Sequence, residues 1–167
     1  KKKKIRNIIL RPKFLSSSTA SKKEVLKHAL FKMEKKLKIK FDYIVDFDAT
    51  SPIRKKVDFK RAFKTFTKKK ADLLITVTPS RKNPYFNMIE ISNKKISLVK
   101  NGNFVRRQDT PKVFDMNASF YIYRRNHLIN SKKLISNNTV AYIMPKESAF
   151  DIDNILDLKV NEILLKK

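Results

Sequence analysis

Near the C-terminal end, the stretch SAFDIDNILDLKVNE (148–162) gathers Asp151, Asp153 and Asp157 in a chain that holds 15 acidic against 40 basic side chains. Clustering a scarce residue type asks for a local cause. Asp151 and Asp153 are two apart, so an extended backbone would send both carboxylates to one side. Paired carboxylate oxygens suit Mg²⁺, which takes one or two such ligands and completes its shell with water and substrate phosphates. The alternative is structural: Asp153 caps the following helix and Asp157 sits in its first turn against the macrodipole. Of the three, Asp157 fits the structural role best.

A second group lies in VDFDATSPIR (45–54), where Asp46 and Asp48 offer carboxylates and Thr50 and Ser51 offer hydroxyls before Pro52 fixes a turn. This segment is either a ligand loop or a tight turn whose hydroxyls satisfy their own backbone. A third is FVRRQDTP (104–111), where Arg106 and Arg107 form an anion-binding fork or a solvated pair. The two histidines, His28 and His127, are far apart, have no ligand spacing, and fit surface or helix-end positions. Cysteine is absent, which removes thiolate nucleophiles, disulfides and Cys-ligated metals. Gly102 is the only glycine, so no backbone cradle for a triphosphate can be found in these residues. P-loop, nucleophile-elbow and zinc motifs are missing too.

The elements that must position these groups alternate between strand and helix. NIIL (7–10) has the pattern of a short buried strand. SKKEVLKHALFKMEKKL (21–37) is a helix with Ser21 as N-cap and Glu24 completing a capping box. Val25, Ala29 and Met33 share one face of it, with Leu26, Leu30 and Leu37 beside them. FDYIVDF (41–47) is a strand, and VDFKRAFKTFTKKK (57–70) a helix capped by Asp58, with Phe59, Ala62, Phe63 and Phe66 at helical spacing. ADLLITVT (71–78) is a third strand. Residues 79–112 break the rhythm as an excursion with two β-like runs, FNMIEI and KISLV, joined by a turn. SFYIYRR (119–125) and VAYIMP (140–145) resume strands, and a helix from Asn154 ends the chain. Repeated βαβ units predict an α/β fold with a mainly parallel sheet covered by helices. In such sheets ligands bind beyond the carboxyl ends of the strands, which is where the first two groups fall.

At 167 residues, with 41% hydrophobic residues and 12 Phe, the chain can bury one core and is not a disordered tail. No apolar run approaches a membrane span, and KKKKIRNIIL lacks the apolar length of a signal peptide, so a cytoplasmic location is expected. A net charge of +25 points to an anionic partner or to compositional drift, since Lys greatly outnumbers Arg and Ile, Asn and Phe are abundant. Nucleic acid is disfavoured: Lys is spread along the chain and Phe follows core periodicity. The run of four lysines, 1–4, has the pattern of a solvated edge.

In order, RPKFLSSSTAS, DATSPIR, NPYFNMIE, RRQDTP, NASFYIY, YIMP and DIDNILDL resemble the acylneuraminate cytidylyltransferases, the CMP-sialic acid synthetases and their nonulosonate relatives. Each piece is weak alone; the ordered series spans essentially the whole chain. VDFDATSPIR and NPYFNMIE resemble most the branch acting on legionaminic acid-like sugars. The resemblance implies a Rossmann-like three-layer fold of the nucleotide-diphospho-sugar transferase kind. It implies one partial domain over 1–167, with 79–112 as a dimerisation excursion in a homodimer. It implies transfer of CMP from CTP to the anomeric hydroxyl of a nine-carbon 2-keto-3-deoxy sugar acid, with release of pyrophosphate and with Mg²⁺ held by Asp151 and Asp153 as the catalytic pair. Arg11 and Ser21 would lie by the nucleotide. Asp48, Thr50, Ser51, Asn117 and Tyr121 would line the sugar site, Leu134 and Ile135 would pack on an acyl group, and Arg107 with Gln108 would reach the sugar acid across the dimer interface. Asp48 stands where Gln is common, Lys22 where a small hydroxyl residue is common, and Ala118 where Gly is common. The family's glycine-containing phosphate loop has no counterpart. The chain is therefore expected to be the C-terminal two-thirds of such an enzyme, incomplete for catalysis alone, with an apolar sheet edge exposed. Neither nucleic acid nor membrane is an expected partner. The alternatives are a 3-deoxy-manno-octulosonate cytidylyltransferase, or an inactive fragment or basic nucleic-acid-binding domain.

Overall fold

Strand β2 (Leu73–Pro79) is buried along almost its whole length, as its near-continuous apolar sequence requires of a central strand. The structure, a computed structural model, describes residues 7–17 and 19–166. The lysine run 1–4 lies outside the described residues. Helix α1 (Lys22–Leu37) is followed by β1 (Tyr43–Phe47), α2 (Lys56–Lys68) and β2. A hairpin of β3 (Ile89–Ser92) and β4 (Lys95–Leu98) precedes β5 (Phe114–Arg124), α3 (Arg125–Asn130), β6 (Thr139–Ile143) and α4 (Ile155–Leu165).

The main sheet has the order β1-β5-β2-β6. β5 runs antiparallel to both β1 and β2, whereas β2 and β6 are parallel. The sheet is thus mixed, which corrects the expected mainly parallel arrangement. The cause lies in the excursion. The chain leaves β2 at its carboxyl end, makes residues 80–113 there, and returns at the same end, so the next strand must run backwards. β1, β2 and β6 still share one direction, and their carboxyl ends face one side.

Side chains alternate across the sheet as strand geometry demands. Leu73, Ile75 and Val77 of β2, with Tyr121 and Tyr123 of β5, pack against Leu30 of α1 and Leu128 of α3. Leu74, Phe120 and Ile122 face the other way onto Ala62 and Phe66 of α2. Helices therefore cover both faces. Phe66 and Phe120 are fully buried, with Phe59 and Phe63 packed on them, so these rings form core rather than a platform for stacked bases.

Other local expectations change. Residues 7–10 form no strand, and Ile8 and Leu10 are 75% and 87% exposed, because among the described residues no neighbouring strand offers that backbone a ladder. Ser21 is the N-cap of α1, but its side chain makes no capping bond, and Glu24 pairs with Lys27 instead. The N-cap of α2 is Lys55; Asp58 lies inside the helix and accepts from the Lys55 N–H at 3.3 Å. The β3–β4 turn holds Asn93 and Lys94 at φ 49° and 63°, the left-handed pair of a tight hairpin. Helix α4 turns Asn161 inward and leaves Ile155, Leu156 and Ile163 largely exposed.

Candidate active site

The carboxyl end of β1 runs into the loop 48–54, and that of β6 into residues 144–154. These two segments meet. The Ile152 N–H donates to the Thr50 carbonyl at 2.8 Å. The Ser51 hydroxyl, on a residue only 2% exposed, lies 2.5 Å from Asp151 Oδ1 and 3.1 Å from the Asn117 carbonyl. Asn117, buried in β5, donates Nδ2 to the Ser148 carbonyl at 3.1 Å and contacts Met144 Sδ at 3.6 Å. One mouth thus collects Thr50, Ser51, Asn117 and Asp151 from three parts of the chain.

A β-bulge aims Asn117. The β2–β5 register shifts between Ile75 and Val77, and Ala118 adopts φ 49°. Where the backbone ladder fails, the Thr76 hydroxyl replaces it, donating to the Phe120 carbonyl at 3.0 Å and accepting from the Phe120 N–H at 3.2 Å. The Asn117 Oδ1 accepts from the Ser119 N–H.

Asp157 is the structural member of the acidic trio. Asn154, not Asp153, caps α4, accepting from the Leu156 and Asp157 N–H groups, and the Asp157 carboxylate accepts from the Asp153 and Asn154 N–H groups. That box leaves the exposed Asp153 carboxylate free of a capping role. Neither Asp151 nor Asp153 belongs to an ion pair among the described residues, in a chain where Lys and Arg are the commonest charged groups. Asp151 accepts from Ser51, and neither it nor Asp153 has a cationic partner among the described residues, so both offer the kind of oxygen a hard divalent ion takes. Among the described residues no group of three or more His, Asp or Glu side chains could hold a metal.

Asp48 is committed elsewhere. Its Oδ1 accepts from the Thr50 N–H and hydroxyl at 3.2 and 3.0 Å, and its Oδ2 from Lys22 at 3.2 Å. Burial pushes this carboxyl up, but those bonds outweigh it and hold it below its ordinary range. Lys22 also meets Asp46 at 2.9 Å and lies 5.7 Å from the centre of the Tyr121 ring. Burial disfavours its charge, yet Asp46 and Asp48 together raise its pKa. Tyr121 is raised chiefly by burial.

Beside Lys22 is a cavity of about 330 Å³ lined by Ser21, Tyr121, Tyr123, His127, Leu134 and lysines from α1 and the loop after α3. Ser21, Tyr121 and Leu134 of the expected site therefore share one pocket. Ile135 does not join it; it is 54% exposed beside a separate shallow depression with Asn137 and Asn138. Arg107 and Gln108 line another cleft, next to Pro79 and Phe114, where Arg107 donates to the Arg81 carbonyl at 2.7 Å. Within one chain they are not brought to the Tyr121 pocket. Arg11 is exposed, and no hydrogen bond among the described residues links it to the mouth.

Sequence reasoning assigned no role to Arg54. Its Nη1 donates to the carbonyls of Asp48, Ser51 and Ser119 at 2.8, 2.9 and 2.8 Å, and its guanidinium carbon lies 5.0 Å from the Phe47 ring centre. The Lys22 contacts were also missed; a lysine in the first turn of a helix, against the dipole, was their signal.

Fold and mouth together define an α/β protein in which carboxylate- and hydroxyl-bearing segments meet at the carboxyl end of its sheet, where ligands of such folds sit. No family model matches the chain. Individual relatives do. It is 44% identical over 153 residues to the post-translational flagellin modification protein B of Campylobacter coli, covering 92% of this chain and 65% of that protein. It is 40% identical over 151 residues to the CMP-N,N'-diacetyllegionaminic acid synthase of Campylobacter jejuni, covering 90% and 64%. An N-acylneuraminate cytidylyltransferase of Streptococcus agalactiae matches at 25% over 148 residues, covering 88% and 35%. Over about nine-tenths of its length the chain is thus a homologue of the acylneuraminate, legionaminic acid and pseudaminic acid cytidylyltransferases, the family that its motif series resembles. It spans just under two-thirds of the length of the first two relatives.

Proposed function

We propose that the chain serves a cytidylyltransferase that moves CMP from CTP to the anomeric hydroxyl of a nine-carbon 2-keto-3-deoxy sugar acid, of the legionaminic type, and releases pyrophosphate. The observation that carries this reading is the meeting of Asp151 with Ser51 and Asn117 at the mouth of the sheet. Homology to CMP-nonulosonate synthetases supplies the reaction class, and the greater identity to the legionaminic acid synthase than to the N-acylneuraminate enzyme favours the sugar. Helices on both faces of the sheet support a Rossmann-like three-layer fold.

In the reaction, the sugar hydroxyl oxygen bonds to the α-phosphorus and gives its proton to water as the bond to the pyrophosphate oxygen breaks. Asp151 and Asp153 would hold Mg²⁺, which when bound neutralises phosphate charge as it develops. The chain's own contribution is placement. Ser51 and the Thr50 carbonyl hold the segment 151–152 against the β1 loop. Asn117 ties β5 to the turn before Asp151. The Tyr121–Leu134 cavity offers an apolar wall with lysines around it, suited to an acylated, anionic sugar. Such positioning is most of what phosphoryl chemistry asks of a protein.

The partner is a second copy of the chain. In the β3–β4 hairpin, Ile89 opposes Leu98 and Ile91 opposes Ile96, so all four side chains share one face. Ile91 and Ile96 are about 70% exposed, at 71% and 69%. An apolar hairpin face of this kind favours burial against an identical one, which supports 79–112 as the dimerisation element.

Calorimetric titration with CTP in the presence and absence of Mg²⁺ tests the site. The expected result is Mg²⁺-dependent CTP binding that Asp151→Asn abolishes while the thermal transition stays cooperative. Equal binding by that variant removes Asp151 from the metal site.

A further inference from the structure

We propose that Arg54 is the positioning residue of this site, a clamp that sets Ser51 and, through it, Asp151; the inference rests on the metal assignment above. Three carbonyls converge on one guanidinium nitrogen. Two of them, Asp48 and Ser51, belong to the loop after β1, and the third, Ser119, belongs to the β5 bulge. The Ser119 carbonyl also accepts the Asp48 N–H at 3.3 Å, so it joins loop and strand twice. Arg54 itself is half-buried and lies against Phe47, the last residue of β1. Its place is therefore set by β1, while its Nη1 is spent on the carbonyls that flank Thr50 and on the β5 bulge.

The consequence reaches the acidic segment by two routes. Ser51 Oγ meets Asp151 Oδ1, and the Thr50 carbonyl receives the Ile152 N–H. A loop free to move would lose both. Loops ordinarily expose their carbonyls to water; here three carbonyls share the N–H groups of one guanidinium nitrogen, and the planar guanidinium also lies over the Phe47 ring, a contact that a lysine ammonium with no planar face does not reproduce. Nothing among the described residues gives Arg54 a carboxylate partner. Its strongest contacts are with the loop rather than with an acid, as a clamp requires and an ordinary surface ion pair does not.

The test compares the unaltered chain with Arg54→Lys and Arg54→Gln, the second keeping planar donors without charge. Amide hydrogen exchange by NMR reads the clamp at the Asp48 and Ile152 N–H groups, with Leu74 and Ile122 in the central strands as controls. Electron paramagnetic resonance titration with Mn²⁺ reads the site. In Arg54→Gln, exchange at Asp48 and Ile152 rises about tenfold or more, the controls stay put, and Mn²⁺ affinity falls by roughly the same factor, the scale of losing one charged hydrogen bond. Arg54→Lys, which keeps the charge and loses the planar face on Phe47, shows a smaller rise at the same two amides. Unchanged exchange at the two amides overturns the clamp. Faster exchange with Mn²⁺ affinity intact overturns its role in the site. Exchange that rises equally at the controls assigns Arg54 to general stability and also overturns the proposal. If the unaltered chain binds no Mn²⁺, the metal assignment fails, while the amides still decide whether Arg54 holds the loop.

Discussion

The Ser51–Asp151 contact gives a number that can be checked without any ligand. One hydroxyl proton has two acceptors in reach, Asp151 Oδ1 at 2.5 Å and the Asn117 carbonyl at 3.1 Å. The shorter contact, to a carboxylate, takes the proton. A hydrogen bond to a charged group contributes about 1.5–3 kcal/mol. Asp151 is only half-buried, so water replaces part of the loss, and about 1.5–2 kcal/mol is expected for Ser51→Ala. For a chain of this size that lowers the melting temperature by roughly 3–8 °C. A double-mutant cycle isolates the pair: urea unfolding of the unaltered chain, Ser51→Ala, Asp151→Ala and the double variant, at a common m-value, should return a coupling of about 1–1.5 kcal/mol. Additivity within about 0.5 kcal/mol would mean that the two groups do not interact in solution. The mouth would then be assembled by backbone contacts alone, and the case for Asp151 as a positioned ligand would fall.

The Glu34–Arg125 pair should shape the acid limb of stability. Arg125 bonds both Glu34 oxygens, at 2.7 and 2.9 Å; those bonds outweigh burial and, with the Phe41 N–H, pull the carboxyl from 4.5 to about 2. A depressed carboxylate stabilises fully above its unfolded pKa and loses that contribution as pH falls through the folded one. Glu34→Gln should therefore flatten the loss of melting temperature between pH 4.5 and 2, and an unchanged acid limb refutes the pair. Ala118 at φ 49° carries a left-handed cost of about 1–2 kcal/mol. Ala118→Gly recovers it but frees the unfolded chain by about 0.4–1 kcal/mol, so urea midpoints should stay level or rise slightly, whereas Ala118→Val should fall clearly. For the proposed dimer, Ile91→Lys with Ile96→Lys should shift sedimentation from dimer to monomer while the far-ultraviolet spectrum holds; a dimer that persists sinks the hairpin interface.

Periodicity made most of the elements legible. The apolar run of β2, the Phe59–Phe66 stripe of α2 and the hairpin turn stand where their patterns place them, because each is satisfied by contacts close in sequence or by burial alone, whereas β5 begins at Phe114, five residues before the expected start. Strand direction was not legible. The reversal of β5 depends on which end of β2 the excursion leaves and re-enters, and the intervening residues 80–113, hairpin included, carry no local signal of that. The segment 7–10 failed for a related reason: an apolar run fixes a preference, but a strand needs a partner. In the site, Asp151 and Ser51 were recognisable as chemically capable, yet their meeting spans a sequence separation of 100 residues. Arg54 was invisible because its partners are carbonyls, which every residue has.

The charge balance of the chain constrains how such a mouth must work. At +25 the surface repels a free divalent cation and attracts a nucleotide triphosphate. Screening limits that field to about 8–10 Å at physiological ionic strength, so the nearest groups decide. Those groups are Asp151 and Asp153, without ion pairs among the described residues, Arg54 on the Ser51 loop, and Lys22, whose charge is already offset by Asp46 and Asp48. Two carboxylates thus stand inside a basic exterior. A metal alone gains the two carboxylates but meets the outer repulsion; a metal carried on triphosphate brings a net negative charge and meets attraction instead. Under the proposed function, the chain should bind Mg²⁺ and CTP more tightly together than the product of separate affinities allows. Raising salt should weaken nucleotide binding more steeply than it weakens Mn²⁺ binding measured without nucleotide. Equal salt slopes for the two would show that the basic exterior plays no part in loading the site, and would return the excess of lysine to composition alone.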